Sequence, residues 1–176
     1  MKGDVEDAYR LLHPRPVVLI CAGEKPNVMA CSWITPVCDE PFMLAVAIWK
    51  ENYTYEIIEK TNEFTVNVPP PELVNSVWIA GTKSGRELDK ISVCKLKVSR
   101  AKKVKTYVLD DCLANMECIV EKKVEAGDHV VYISKVLESY ADSTAFSKVW
   151  KKDILLHLGG RDFVVFGKKI QPTIEK

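Results

Sequence analysis

The sequence carries almost no net charge: 25 basic residues stand against 24 acidic ones, a formal charge of +1 at pH 7. So balanced a chain has no broad positive face for a nucleic-acid backbone, and any anion it binds must be held by a local cluster. Its six cysteines include no Cys-x-x-Cys pair and it has three histidines, which argues against both a zinc site and a dithiol redox centre. No stretch approaches the roughly 20 apolar residues of a membrane-spanning helix. The opening Met1-Lys2-Gly3-Asp4-Val5-Glu6-Asp7 has no apolar signal-peptide core, so a cytoplasmic location is expected. Gly-x-Gly-x-x-Gly is absent too, which excludes the common dinucleotide fingerprint. Repeats, low-complexity tracts and linkers are also missing. At 176 residues and 47% hydrophobic, one domain spanning residues 1–176 is expected.

What is present is strand-forming sequence at hairpin spacing. Val17 to Ala22 is a continuous, β-branched apolar run that reads as a buried strand. Gly23-Glu24-Lys25-Pro26 is a turn, so Asn27 to Trp33 is predicted to return antiparallel. Phe42 to Trp49 and Phe64 to Val68 are further strands, the second closed by Pro69-Pro70-Pro71. Leu113 to Val124 alternates, with Ala114, Met116, Cys118 and Val120 on one face and Asn115, Glu117 and Glu121 on the other. Ala126-Gly127-Asp128 turns into a strand from His129 to Leu137, and a last hairpin turns at Gly159-Gly160. Short helices are predicted after Asp4 (a cap, with Val5, Ala8, Tyr9 and Leu12 on one face), from about Thr54 to Lys60, and over Pro71 to Ala80. At least six strands with short inserted helices argue a mainly β, antiparallel barrel. A barrel this small leaves apolar outer faces uncovered, so self-association is expected. All six cysteines read as structural thiols.

The stretch Lys25 to Trp33, continuing Ile34-Thr35-Pro36, is the most informative. Asn27, Ser32, Trp33 and Thr35 set polar groups and an indole into an apolar strand, and no charge occurs between Pro26 and Pro36. That pattern suits a flat, partly polar aromatic ligand, whereas its bland alternative is a sheet surface plugged by Trp33. Trp49-Lys50-Glu51-Asn52-Tyr53-Thr54 leads into a helix whose first amides, with the Thr54 hydroxyl, suit a phosphate. Equally, Thr54 or Asn52 merely caps that helix. The segment Gly81 to Lys90 offers Lys83, Ser84, Arg86 and Lys90 to an anion, although it lacks the Gly-Lys-Ser/Thr ending of a P-loop; a solvated basic loop is its alternative. Gly127-Asp128-His129 places a histidine just past a hairpin turn, while His13 and His157 have no comparable context. No paired carboxylates or nucleophile–base set stands out, which disfavours a hydrolase.

In chain order, Arg15-Pro16-Val17-Val18, Asn27 to Pro36, Tyr53-Thr54, Phe64-Thr65-Val66-Asn67-Val68-Pro69, Ser84-Gly85 with Asp89-Lys90, and Gly127-Asp128-His129 resemble the flavin reductase-like family, its flavoredoxin members above all. The resemblance implies a split β-barrel that binds FMN, less often FAD, at a homodimer interface. It implies that Asn27, Met29, Ala30, Ser32, Trp33 and Ile34 lie along the isoalloxazine or its ribityl chain. Thr54 and Lys90 would hold the phosphate, with Ser84 and Gly85 in the same loop. His129 and Phe163 would complete the flavin environment, and Lys50, Tyr53 and Asn67 are further cofactor-binding candidates. Flavin chemistry needs no catalytic carboxylate, because the cofactor accepts hydride and the protein supplies binding and electrostatics. The one catalytic candidate is His129, as a donor near the flavin N1 or C2 carbonyl. The implied activity is that of an oxidoreductase supplied by NAD(P)H or a redox protein, with neither nucleic acid nor membrane as partner. A non-catalytic flavin-binding or storage barrel is the alternative, and a pyridoxal-phosphate-linked oxidase fits the Asn27–Pro36 stretch less well.

Overall fold

The computed structural model describes residues 3–168. In chain order its strands are β1 (Arg15–Pro16), β2 (Val18–Ala22), β3 (Asn27–Cys31), β4 (Ile34–Cys38), β5 (Met43–Trp49), β6 (Glu63–Val68), β7 (Val98–Arg100), β8 (Tyr107–Leu109), β9 (Ala114–Ala126), β10 (His129–Ala141), β11 (Leu156–Gly159) and β12 (Asp162–Val164). The α-helices are α1 (Tyr53–Thr61), α2 (Val74–Thr82) and α3 (Lys90–Val93). Seven strands form one antiparallel sheet in the order β3-β2-β6-β9-β10-β5-β4, with β1-β11-β12 and β7-β8 as small separate sheets.

The strand expected to run from Asn27 to Trp33 ends at Cys31, because the chain changes sheet edge at Ser32-Trp33 before β4 begins at Ile34. β3 and β4 are the two edges of the seven-stranded sheet, yet only those two residues separate them. Laid flat, such edges would stand about 29 Å apart at ~4.8 Å per strand, whereas three residue steps reach about 11 Å. The sheet must therefore roll up. The Cys31 thiol of β3 reaches across the seam to face the Ala47 carbonyl of β5 at 4.0 Å, while Trp33 O accepts from Ala47 N at 2.9 Å and continues the β4–β5 pairing. β3 and β4 share no ladder, so the roll stays unzipped. This is the split barrel that the resemblance implied.

β2 is buried on both faces, which explains its unbroken apolar run. Val18, Ile20 and Ala22 join Leu44, Val46, Ile48, Phe64 and Val66 inside the roll, while Val17 and Leu19 pack outside with Val77 and Ala80 of α2. β5, expected only as a strand, alternates, with Leu44, Val46 and Ile48 inward and Trp49 exposed.

One further expectation is corrected. The first helix is a 3-10 turn over Ala8–Leu12 that starts where Asp7 O accepts Arg10 N, and it buries nothing. Asp4 does not cap it, and Val5, Tyr9 and Leu12 are exposed, because the chain supplies no surface for them to cover. On the polar side of β9, Asn115 and Glu117 are buried under residues 101–109. Glu117 accepts the Lys102 and Lys103 amides (2.9 and 2.5 Å) and the Tyr140 hydroxyl (3.2 Å). Side chains thus replace a ladder in fastening β8 over the barrel. Thr65 donates to Tyr107 O (2.6 Å), Asn115 donates to Leu109 O (3.1 Å), and Asn67 Oδ1 accepts from Leu109 N (3.0 Å).

All six thiols are free. Burial pushes Cys21 up to about 12 and Cys31 up to about 11, and raises Cys94, Cys112 and Cys118 as well. These thiols stay protonated and inert at neutral pH, as structural cysteines do.

Candidate functional site

A groove follows the open seam, in two adjoining depressions of about 240 and 180 Å³ that share Met29, Trp49, Asn52 and Gly81. α2 forms one bank and closes tightly on β3 through Gly81, where an added Cβ would stand 3.3 Å from that of Ala30. The start of α1 and the loop after α2 form the other end.

That end is rich in donors. Helix α1 begins at Tyr53 after Asn52, and no side chain caps it. Its opening amides therefore point outward unfilled by side chains, at the positive end of the helix dipole. Thr54 is buried, and its hydroxyl oxygen accepts from Asn27 Nδ2 at 2.8 Å, which leaves the hydroxyl hydrogen to donate elsewhere. Asn27 is pinned in turn by Gly85: a Cβ there would lie 1.9 Å from Asn27 Oδ1 and 3.0 Å from the Tyr53 ring. Ser84 Oγ accepts from Arg86 N (3.2 Å) and keeps this loop turned inward. Arg86 lines the groove over the Tyr53 ring, but its guanidinium is already paired with Glu56 and donates to Glu51 O.

Lys90 reaches the same end from α3. Its side chain is buried, and Nζ donates to the carbonyls of Ala80 (3.2 Å) and Lys83 (3.1 Å), which satisfies the end of α2. Burial lowers its pKa to about 8. Two of its three N–H groups are thus committed and one remains for a ligand.

The other end is aromatic. Trp33 and His129 stack with centroids 4.8 Å apart and planes 18° apart, and Trp49 stands beside them. Trp33 and Trp49 are 37% and 45% exposed, unusually open for indoles on a protein surface. His129 Nδ1 lies 2.7 Å from Asp128 Oδ1. An ionised carboxylate only accepts, so Nδ1 carries the hydrogen and Nε2 is left for a ligand. The hydrogen bond from His129 also holds the Asp128 carboxyl below the usual range.

Asn27, Met29, Ala30, Ser32, Trp33, Tyr53, Thr54, Ser84, Gly85, Lys90 and His129 all line this groove or its immediate flank. Four expected residues do not. Ile34 packs on the barrel core. Asn67 is fully buried with every hydrogen-bonding position filled: Nδ2 donates to Leu19 O and Thr65 Oγ1, and Oδ1 accepts from Leu109 N and Asn115 Nδ2. Lys50 turns to the β9–β10 hairpin, paired with Glu125 and donating to Gly127 O at 3.0 Å. Phe163 lies in a neighbouring depression, 5.2 Å from the ring of His157. Sequence reasoning missed Trp49 and Asn52 as lining residues, although both lie in a segment it singled out. It also missed His157, whose Nδ1 sits 3.4 Å from Ser32 Oγ; nothing local to His157 signalled that.

Residues 9–163 match the model of the flavin reductase like domain, and the chain belongs to that family. It is 41% identical over 138 residues to an uncharacterized protein of Archaeoglobus fulgidus, covering 78% of each. Its fold superposes on flavoredoxin of Desulfovibrio vulgaris (Miyazaki F) with a TM-score of 0.87 at 22% identity, over 98% of this chain and 97% of that one. An FMN-binding protein from Thermus thermophilus gives a TM-score of 0.88 at 18% identity, over 98% and 97%.

Proposed function

We propose that this protein is a flavoprotein oxidoreductase that binds FMN in the seam groove and passes electrons from NAD(P)H, or from a reduced protein, to an acceptor. The observation that carries this reading is the pairing of an uncapped α1 start, braced by Asn27 and Gly85, with the Trp33–His129 stack at the far end of one groove. The residues fit FMN at both ends. Free amides, the Thr54 hydroxyl and the Lys90 ammonium suit a terminal phosphate. Trp33 and the mixed polar and apolar edge of β3 suit a heteroaromatic ring. FAD would have to extend its second nucleotide past the phosphate end, so FMN is favoured.

Bound FMN would supply hydride acceptance and one-electron transfer, and the chain's own residues do the rest. Asn27 and Thr54 orient the phosphate end. Asp128 holds the Nδ1–H of His129 and so fixes the ring with Nε2 free at the aromatic end of the groove, where it would face the polar edge of a bound flavin. The open faces of Trp33 and Trp49 favour a second copy of the chain that covers the aromatic end, and so a homodimer.

An absorption spectrum of the purified protein, before and after anaerobic addition of NADH or NADPH, tests the proposal. Bound-flavin absorbance that bleaches on addition is expected. Protein that holds FMN but is reduced by neither nicotinamide nor a reduced protein donor would favour the storage reading. Protein that takes up no FMN would end both.

A further inference from the structure

Beside the seam groove lies another depression, of about 340 Å³, which shares Ala30, Cys31, Ser32 and Gly81 with it. Trp78 and Phe163 form its aromatic walls, and Arg10 and His157 stand along it. The Arg161 guanidinium sits 5.3 Å over the Trp78 ring, and that of Arg15 sits 5.4 Å over Trp33. Among the described residues, no acidic side chain lines this depression. Arg10 pairs with Asp7 at 3.1 Å, but both are about half exposed, and such pairs hold weakly.

Positive charge is in surplus here. Arg15 Nε and His13 Nδ1 are buried with no hydrogen-bond partner. His157 is held toward its neutral form by burial first, and by the charges of His13, Arg15 and Arg10 around it. Its Nε2 lies 3.2 Å from Gly160 O, a carbonyl that only accepts, so Nε2 carries the hydrogen and Nδ1 accepts from Ser32. Ser32 stands on the boundary between the two depressions, so a molecule in one abuts a molecule in the other.

We propose that this depression binds a small planar molecule carrying a single carboxylate or phosphate, seated against whatever occupies the seam groove. Flat walls from Trp78 and Phe163 take the ring, and Arg10 of the lining, with Arg161 over the Trp78 ring beside it, takes the anion. The volume is at the small end of the roughly 300–1,000 Å³ range of small-molecule sites, which suits one ring and not a whole dinucleotide. The inference rests on the flavoprotein reading only for the identity of the neighbour.

The test uses three probes: benzoate, phenyl phosphate and uncharged benzamide. Each is titrated into FMN-loaded protein and followed by the flavin spectrum. Benzoate and benzamide are also titrated into flavin-free protein and followed by tryptophan fluorescence, with Trp78→Phe measured in parallel so that the signal lost in the variant is that of Trp78 and not of Trp33 or Trp49 in the seam groove. The charged probes are expected to bind about tenfold more tightly than benzamide. Arg10→Gln combined with Arg161→Gln should erase that preference and leave FMN affinity unchanged, since neither residue lines the seam groove. The stronger of the two anions identifies the natural head group, and tighter binding of either supports the site. Equal binding of charged and neutral probes, or a preference that survives the double variant, overturns it. Failure to bind FMN leaves the tryptophan arm intact, so the two readings fail separately.

Discussion

Gly85 lacks a side chain because Asn27 occupies the space one would need, and the clash a Cβ would meet there is with the atom next to the amide that fixes Thr54. Gly85→Ala is therefore expected to displace Asn27 and weaken FMN binding by about tenfold or more, roughly the worth of one hydrogen bond to a charged group. Calorimetry on the variant checks this, alongside a melting curve that should fall as well, since Asn27 and the Thr54 hydroxyl it bonds are both buried. Lys90 gives a pH signature. With a folded pKa of about 8, it loses its charge as pH rises from 7 to 9, so FMN affinity should fall about tenfold over that interval while riboflavin affinity stays flat. Its effect on stability has the opposite sign. The unfolded chain holds this proton up to about 10.4, so Lys90's contribution to stability rises with pH between about 8 and 10.4. At this scale the sequence was legible at Asn27, a polar residue in an apolar strand beside a turn, and at Thr54, a hydroxyl in the first turn of a helix. Asn67, put forward only by the resemblance, lies elsewhere: protein groups fill its hydrogen-bonding positions under a second layer of chain that no local pattern announces.

Among the elements, β6 and β9 show how a second layer is fastened by side chains. Asn67 alone connects β2, β8 and β9. Asn67→Ala should cost about 3 kcal/mol through the buried groups it strands. Urea unfolding measures that, and FMN affinity should be unchanged at temperatures where the variant is folded, since Asn67 lies outside the groove. Strands β2, β5, β6 and β9 and helix α1 were readable from periodicity, caps and turns. What lies over the outer face of β9 was not, because the partners of Glu117, the amides of residues 102 and 103, are ordinary backbone. The 3-10 turn at Ala8–Leu12 misled for a related reason, its apolar stripe having no surface in the chain to meet.

Over the whole molecule, one constraint organises the rest. Two residues join opposite edges of a seven-stranded sheet, so the sheet rolls, the roll stays open along β3 and β4, and the groove occupies the opening. Apolar side chains remain uncovered on its outside, Trp33 and Trp49 among them. Light scattering should accordingly report a dimer at micromolar concentration, and a monomer would contradict the expected homodimer. The central claim is that the groove recognises a ring at one end and a phosphate at the other. Calorimetric titration of flavin-free protein with FMN and, separately, with riboflavin tests it most directly. One FMN per chain, bound about a hundredfold or more tighter than riboflavin, is the predicted result, because the phosphate adds the α1 amides, Thr54 and Lys90 together. Equal affinities for the two, or no heat from either, would contradict it.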